Sequence, residues 1–204
     1  RNNRIKIIYL TSGWHGVKEK FSIEQRKSIR IEEAINSARV LGINKKQLYF
    51  LDLPFYDKGK ISARDIFLVE KKLKELRPQV IFACGESSDP CRTHGKCLKV
   101  IEKSLKKFKY RYRLVFYCVW SEFKLRQIKL FFPFGKEMME KKILAIKAHR
   151  SQLNLSVTKS GISSFVKREE KSNRIYAALI KRKGFLKDKD FCYAEVFNLC
   201  SKKI

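Results

Sequence analysis

With 204 residues, 44% of them hydrophobic, the chain is large enough to bury the core of one domain. No apolar run approaches the roughly 18 residues of a membrane-spanning helix, and the first residues lack a signal-peptide pattern, so we expect a soluble, cytoplasmic protein. The net charge of +27 favours a nucleic acid or another anionic partner, although lysine and arginine are scattered along the whole chain rather than gathered in one segment.

Strands and helices alternate over residues 1–120. Apolar runs predict strands, apolar residues at helical spacing predict helices, and Ser62 with Asp65 forms a capping box at the start of the second helix. The predicted strands are 4–11, 48–53, 80–84 and 114–120, and the predicted helices carry apolar stripes at 31–41, 66–76 and 98–108. This alternation indicates an α/β fold, with a Rossmann-like, mostly parallel sheet flanked by helices.

Residues 121–204 are predicted to form a helical C-terminal part with a closing strand. Helices are expected over 136–149 and 165–183, and a strand over 191–200. Gly161 is expected in a flexible loop between the two helices. No boundary for a second domain is evident, so residues 1–204 are expected to be one domain.

Polar side chains follow three of the predicted strands. Asp52 and Asp57 follow the second strand, while Asp89 and His94 lie in the loop after the third, with His94 just before a helix. Because the carboxyl ends of parallel strands share one rim, these side chains could converge on a divalent metal or act in acid-base chemistry. Each of them is also an ordinary turn or cap residue, and the sequence leaves both interpretations open.

A second polar cluster, residues 148–152, lies at the end of the helix predicted over 136–149. His149 could be a positive residue at the helix carboxyl terminus, which would be a structural role. Alternatively, His149 and Gln152 could reach the same crevice as the loops described above.

Six cysteines are few for a chain of this length. Cys84 and Cys118 lie in apolar runs and are expected to be buried, reduced thiols. Cys91, His94 and Cys97 could point at one metal ion, but their spacing matches no structural zinc motif, and burial is the more common use of a cysteine at position 97.

Basic and aromatic residues are interleaved most densely over 103–113. Such a stretch can bind nucleic acid through phosphate contacts and base stacking. It can equally be the end of a helix followed by an edge strand that lysines keep solvated. The first interpretation would make the chain a basic module that binds nucleic acid or another polyanion.

The order of several short motifs resembles a known enzyme family. The motifs are Tyr9 to Gly13 at a strand end, Arg30-x-x-Glu33 opening a helix that runs to Gly42, Phe50 to Tyr56, the Gly85 to His94 loop, the Val119-Trp120 strand end and His149-x-Ser151-Gln152. This order resembles the LmbE/PIG-L family of zinc-dependent de-N-acetylases over most of the chain. The stretches 51–56, 89–98 and 193–195 are most similar to the deacetylase-like domain fused behind a glucosamine-6-phosphate deaminase-like domain in some bacteria.

The resemblance implies a reaction and a set of site residues. Zinc held by histidine and aspartate activates a water molecule, which attacks the acetamide carbonyl of an amino sugar. His94 corresponds to one zinc ligand. Arg30, Asp52, His149 and Gln152 are assigned to the substrate site by the same resemblance.

Two departures from the family pattern bear on activity. The family's early His-Pro-Asp-Asp motif, which supplies two zinc ligands and the general base, would precede residue 4, so we expect this chain to be a piece of a longer one and to be inactive alone. The family usually has a histidine where this chain has Cys91, two residues after Asp89, and a thiol cannot supply the cation that stabilises an oxyanion. His15 could be imagined as a substitute ligand, but a solvated loop histidine is the simpler interpretation.

Overall fold

The structure is a computed structural model that describes residues 4–56, 59–85, 93–107, 110–119, 122–152, 161–186 and 190–199, apart from the side chains of 161–164. The strands are β1 (Ile7–Thr11), β2 (Leu48–Leu53), β3 (Val80–Cys84), β4 (Arg113–Tyr117), β5 (Leu130–Phe134) and β6 (Tyr193–Leu199). The helices are α1 (Ile23–Val40), α2 (Ala63–Leu76), α3 (Thr93–Leu105), α4 (Lys136–Lys147) and α5 (Gly161–Arg182). Short 3₁₀ turns include Trp14–Gly16 and Arg150–Gln152.

The chain divides into two compact units. The first contains residues 1–52 and 133–194, and the second contains residues 53–132 and 195–204. Of the strands, β1 and β2 form a two-stranded sheet, while the other four form a sheet in the order β3-β4-β6-β5. The expectation of one domain over 1–204 remains a prediction.

In the first unit, α1 packs against α4 and against the 3₁₀ turns at 14–16 and 150–152. A reciprocal capping box starts α1, because the Ser22 hydroxyl accepts from Gln25 N and the Gln25 side chain accepts from Ser22 N. The buried residues of α1 are Glu33, Ala34 and Ala38. A carboxylate therefore lies on the helix face that packs inward.

In the second unit, β3 and β4 are parallel, with Phe82 opposite Val115, and β6 runs antiparallel to β4. The helices α2 and α3 pack together, and the fully buried Ser104 hydroxyl lies 3.0 Å from the Ile66 carbonyl oxygen.

At Gly85, just after β3, an added Cβ atom would lie 2.7 Å from Phe116 Cβ. Only glycine lets the chain leave β3 this close to β4.

The predicted α/β class is confirmed, and the predicted strands 48–53 and 80–84 match β2 and β3. The capping box of Ser62 and Asp65 at the start of α2 is also confirmed. The strands predicted over 4–11 and 114–120 are shorter, and the closing strand predicted over 191–200 is found as β6.

Several expectations were wrong. Gly161 begins α5 instead of lying in a loop, and β5 was missed because Pro133 in a short aromatic run is atypical of a strand. Cys84 and Cys118 are partly exposed rather than buried, although the four described cysteines are thiols and not disulfides. No helix in the described part of the chain is both long and apolar enough to cross a membrane.

Candidate functional site

The loop after β1 forms one side of the candidate site. Gly13 has a φ of +65°, a left-handed conformation that glycine adopts without the steric cost of a side chain. The chain then enters the 3₁₀ turn Trp14–Gly16, where the rings of Trp14 and His15 stack with centroids 3.7 Å apart. His15 is exposed, in agreement with its interpretation as a solvated loop residue.

The helix α1 holds this loop in place through Arg26. The Arg26 guanidinium donates to the carbonyl oxygens of Phe21 at 2.9 Å and Glu19 at 3.1 Å, and it lies over the ring of Trp14. Arginine is suited to this role because its fixed fork of donors can satisfy several loop carbonyls at once. One turn further along α1, Arg30 lies next to Gly13.

Arg30 and Glu33 form a largely buried ion pair on α1. Arg30 Nη1 donates to Glu33 Oε2 at 2.5 Å, and the two side chains are 18% and 8% exposed. Arg30 Nε is buried and has no hydrogen-bond partner in the described residues. A buried charge is costly unless it is paired, so each of these side chains depends on the other.

Glu33 also binds the turn that follows α4. Its carboxylate accepts from both the backbone N–H and the hydroxyl of Ser151, the hydroxyl at 2.8 Å. The Gln152 side-chain amide donates to Ser151 Oγ at 2.8 Å and to the Gly16 carbonyl oxygen at 3.0 Å. We call Arg30, Glu33, His149, Ser151 and Gln152 the polar cluster; it joins α1, the loop after β1 and the turn after α4.

His149 joins the polar cluster through its ring. His149 Nδ1 lies 3.4 Å from Arg30 Nη1. Burial lowers the pKa of His149, the Arg30 cation lowers it further, and Glu33 opposes both effects. Both lowering effects disfavour the charged form that a cap at the carboxyl terminus of α4 would need, and Arg30 and Glu33 link His149 to the same network as Gln152.

The lowered pKa of His149 predicts a loss of stability on mild acidification. The unfolded chain takes up a proton near the ordinary histidine pKa of about 6.5, whereas the folded chain does so only at lower pH. The contribution of His149 to the free energy of unfolding should therefore be constant above the unfolded pKa of about 6.5. It should fall as the pH decreases from there through the folded pKa. Urea unfolding at pH 8, 7, 6 and 5 measures this slope.

His149→Gln is the control for that measurement, because it removes the titrating ring. Its slope between pH 7 and 5 should be smaller than that of the unmodified chain. Equal slopes in the two proteins would contradict the assignment. Carboxylates such as Glu137, whose pKa is lowered by Lys141, respond only below this pH range.

Tyr9 on β1 also faces the arginine of the polar cluster. Burial raises the pKa of Tyr9, while the charge of Arg30 partly offsets that effect. The Tyr9 ring stacks on Phe50 of β2, with centroids 4.9 Å apart. The aromatic pair thus gives the region around the ion pair an apolar boundary, which strengthens its electrostatic interactions.

Asp52, another predicted substrate residue, lies outside the hydrogen-bond network of the polar cluster. It has a φ of +48°, and its half-exposed carboxylate pairs with Lys27 at 2.6 Å. Lys27 lies three residues before Arg30 on α1. The structure therefore connects three of the four predicted substrate residues, Arg30, His149 and Gln152, and places Asp52 on a separate ion pair.

His94, the predicted zinc ligand, belongs to the second unit. It is the second residue of α3, so its expected position in a loop before the helix was wrong. Two residues later, Lys96 Nζ donates to the carbonyl oxygens of Tyr56 at 2.5 Å and Gly59 at 2.6 Å, which ties the start of α3 to the loop after β2. Tyr56 is fully buried, and this burial raises its pKa.

The described residues contain no group of three histidine, cysteine, aspartate or glutamate side chains that could hold a metal ion. Asp57, Asp89 and Cys91 lie outside the described residues. The roles of His94, Asp89 and Cys91 thus stay predictions, as does the convergence of the strand-end loops.

Sequence reasoning missed two members of the polar cluster as site residues, Glu33 and Ser151. Both stood in the motifs that carry the family resemblance, but neither was given a role. The available signal was the spacing of Arg30 and Glu33, three residues apart and so on one face of a helix. A glutamate on an otherwise apolar helix face needs a partner, and Arg30 is the nearest candidate.

Comparison with known proteins supports the same family resemblance. No protein-family model matches the sequence. A glucosamine-6-phosphate deaminase-like protein of Bacteroides thetaiotaomicron is 29% identical over 170 residues, which cover 76% of this chain. The chain spans about a quarter of that relative's length, 26%.

Solved structures match the fold over nearly the whole chain. The conserved protein TT1542 from Thermus thermophilus has a TM-score of 0.72 at 20% identity and covers 98% of this chain and 82% of its own. The N,N'-diacetylchitobiose deacetylase from Pyrococcus horikoshii has a TM-score of 0.64 at 20% identity, with 95% of this chain and 72% of its own covered. The chain shares the fold of these solved structures.

The same fold also carries another chemistry. GalB, the 4-carboxy-2-hydroxymuconate hydratase from Pseudomonas putida, has a TM-score of 0.66 at 14% identity over 97% of this chain and 84% of its own. Deacetylation and hydration thus occur on one fold, and the reaction of this chain has to be argued from its residues.

Proposed function

We propose that the chain is an LmbE/PIG-L-like amidohydrolase domain whose longer polypeptide removes the acetyl group from an N-acetylated amino sugar with the help of zinc. The observation that supports this most directly is the polar cluster, in which three of the predicted substrate residues, Arg30, His149 and Gln152, share one network. Paired charges and neutral donors of this kind suit an uncharged ligand rich in hydroxyl and amide groups.

The described residues do not by themselves make a zinc site. A catalytic zinc ion needs about three protein ligands, and His94 is the one that the family resemblance implies. Within the described part of the chain no set of three such ligands is present, so these residues by themselves would not hold zinc. We expect the isolated chain to be inactive.

Acetate release tests this proposal. The isolated chain, supplied with zinc, should release no acetate from N-acetylglucosamine or N-acetylglucosamine 6-phosphate. The full-length polypeptide that contains this chain should bind one zinc ion and release acetate. His94→Ala in that polypeptide should abolish both zinc binding and acetate release, whereas His15→Ala, which changes an exposed histidine, should leave both intact.

Two results would contradict the proposal. Turnover by the isolated chain would show that the expectation of inactivity is wrong. A full-length polypeptide that keeps its zinc after His94→Ala, or releases no acetate at all, would overturn the ligand assignment or the reaction, respectively.

The other functional hypotheses rest on less. Binding of nucleic acid or another polyanion is supported by the net charge of +27 and by the basic and aromatic stretch 103–113, and none of the three similar structures named above is a nucleic-acid-binding protein by its name. A role as an appendage of a deaminase-like protein, with a fused domain upstream, is supported by the name and length of the Bacteroides relative. It remains compatible with a deacetylase domain within the same polypeptide.

A further inference from the structure

The contact between Arg30 and His149 restricts where the imidazole can carry its proton. Arg30 Nη1 lies 3.4 Å from His149 Nδ1. A guanidinium group has five N–H donors and no acceptor, so His149 Nδ1 has to be the acceptor. In a neutral imidazole one nitrogen accepts and the other donates, which places the single ring proton on Nε2.

The hydrogen bonds of Glu33, the partner of Arg30, stabilise this arrangement. Glu33 accepts from Arg30 and from the Ser151 hydroxyl, and the Ser151 oxygen in turn accepts from the Gln152 amide. Each proton donated in this series of hydrogen bonds therefore has one acceptor. Because the Glu33 carboxylate already neutralises Arg30, little negative charge remains to attract a second proton to His149.

We infer that Arg30 fixes His149 in the neutral form with its proton on Nε2, and that Glu33 is the positioning residue that holds Arg30 in place. His149 then serves the proposed amino-sugar site as a neutral hydrogen-bond donor, and not as a general base or a metal ligand. The assignment of a sugar ligand rests on the proposed function, whereas the proton position rests on the contacts alone.

The other ring nitrogen would carry the proton that His149 can donate. Within the described part of the chain, His149 Nε2 has no hydrogen-bond partner, and it is not among the buried polar atoms that lack one. An N–H donor in this position fits an uncharged oxygen, such as a sugar hydroxyl or an acetamide carbonyl, because neither carries a proton-accepting negative charge.

Nitrogen-15 NMR of the chain labelled at histidine tests the inference. The chain has three histidines, and comparison with His149→Gln identifies the signals of His149. At a pH about one unit above the ordinary histidine pKa of about 6.5, we expect an unprotonated Nδ1 and a protonated Nε2. A ring protonated on Nδ1, or a cationic ring at this pH, would overturn the inference.

Three variants separate positioning from general structural effects. Arg30→Met removes the donor to Nδ1, so the proton should distribute over both nitrogens and the pKa of His149 should rise. Glu33→Gln keeps an oxygen that can accept from both Arg30 and the Ser151 hydroxyl, as Glu33 Oε2 does, so Arg30 stays in place. It removes the negative charge, so the pKa of His149 should fall further. Glu32→Gln, an exposed neighbour, should change neither quantity.

The proton position on His149 and the proposed sugar ligand are tested by different outcomes. If Arg30→Met is too unstable to study, Glu33→Gln still decides, because an unchanged or raised pKa of His149 in that variant would contradict the inference. Titration with N-acetylglucosamine then tests the sugar ligand separately. Shifts at His149 Nε2 would support it, and their absence, with the proton still on Nε2, would count against the proposed function only.

Discussion

Replacing Glu33 with alanine is expected to lower the free energy of unfolding by about 3 to 5 kcal/mol, the range found when one partner of a buried ion pair is removed. The substitution leaves Arg30 with an uncompensated charge at 18% side-chain exposure and takes the acceptor away from two donors of Ser151. Such a loss is a large part of the stability of an ordinary domain. Urea unfolding followed by circular dichroism measures it.

Glu32→Ala is the matched control, since it removes the same side chain one position earlier on α1, where it is exposed. Surface changes of this kind shift stability by about 0.5 kcal/mol or less. If the two variants unfold at the same urea concentration, the ion pair does not stabilise the fold as described. Adding Arg30→Met to Glu33→Ala should cost less than the sum of the single changes, because each charge is costly mainly when it is left alone.

Replacing Asn173 with leucine is expected to cost about 2 kcal/mol, since buried polar partners would lose a hydrogen bond. Asn173 is 3% exposed on α5, its amide donates to the Ala194 carbonyl oxygen at 2.9 Å, and its oxygen accepts from Lys142 of α4 at 2.8 Å. Leucine has a similar shape and a good helix propensity, so the change isolates the loss of polar contacts. Thermal and urea unfolding measure the effect.

Two further variants sharpen that experiment. Asn173→Asp keeps an acceptor for Lys142 but loses the donor to Ala194, so it should cost less than Asn173→Leu. Lys171→Ala, an exposed position on the same helix, should be nearly neutral. A neutral Asn173→Leu would mean that these contacts do not hold α4, the helix that ends just before His149.

Local features of the fold could be predicted because their causes lie within a few residues. The capping box that begins α2 depends on Ser62 and Asp65, three positions apart, and the structure has it. The strands β2 and β3 follow from short apolar runs bounded by turn residues. The motif at Arg30 was predicted to open the first helix, whereas α1 begins at Ile23, because the Ser22 and Gln25 capping pair was overlooked.

The members of the polar cluster could be named in part, but their arrangement could not. Glu33 and Ser151 are 118 positions apart, and no local spacing indicates that they touch. Asp52 was predicted to lie in the same site as Arg30, yet its carboxylate pairs with Lys27. Lys27 and Arg30 are both on α1, and the packing of α1 against its neighbours determines which of these two cations a carboxylate contacts.

The sequence alone therefore determined the α/β class, most element positions and the family resemblance, because these depend on periodicity, capping and short motifs. Only the tertiary structure placed His149 beside Arg30 in a hydrogen-bond network, where burial and the cation disfavour the charged form that a helix cap needs. The reason is physical: the pKa of His149 is set by burial and by Arg30, which comes from a segment 119 positions away.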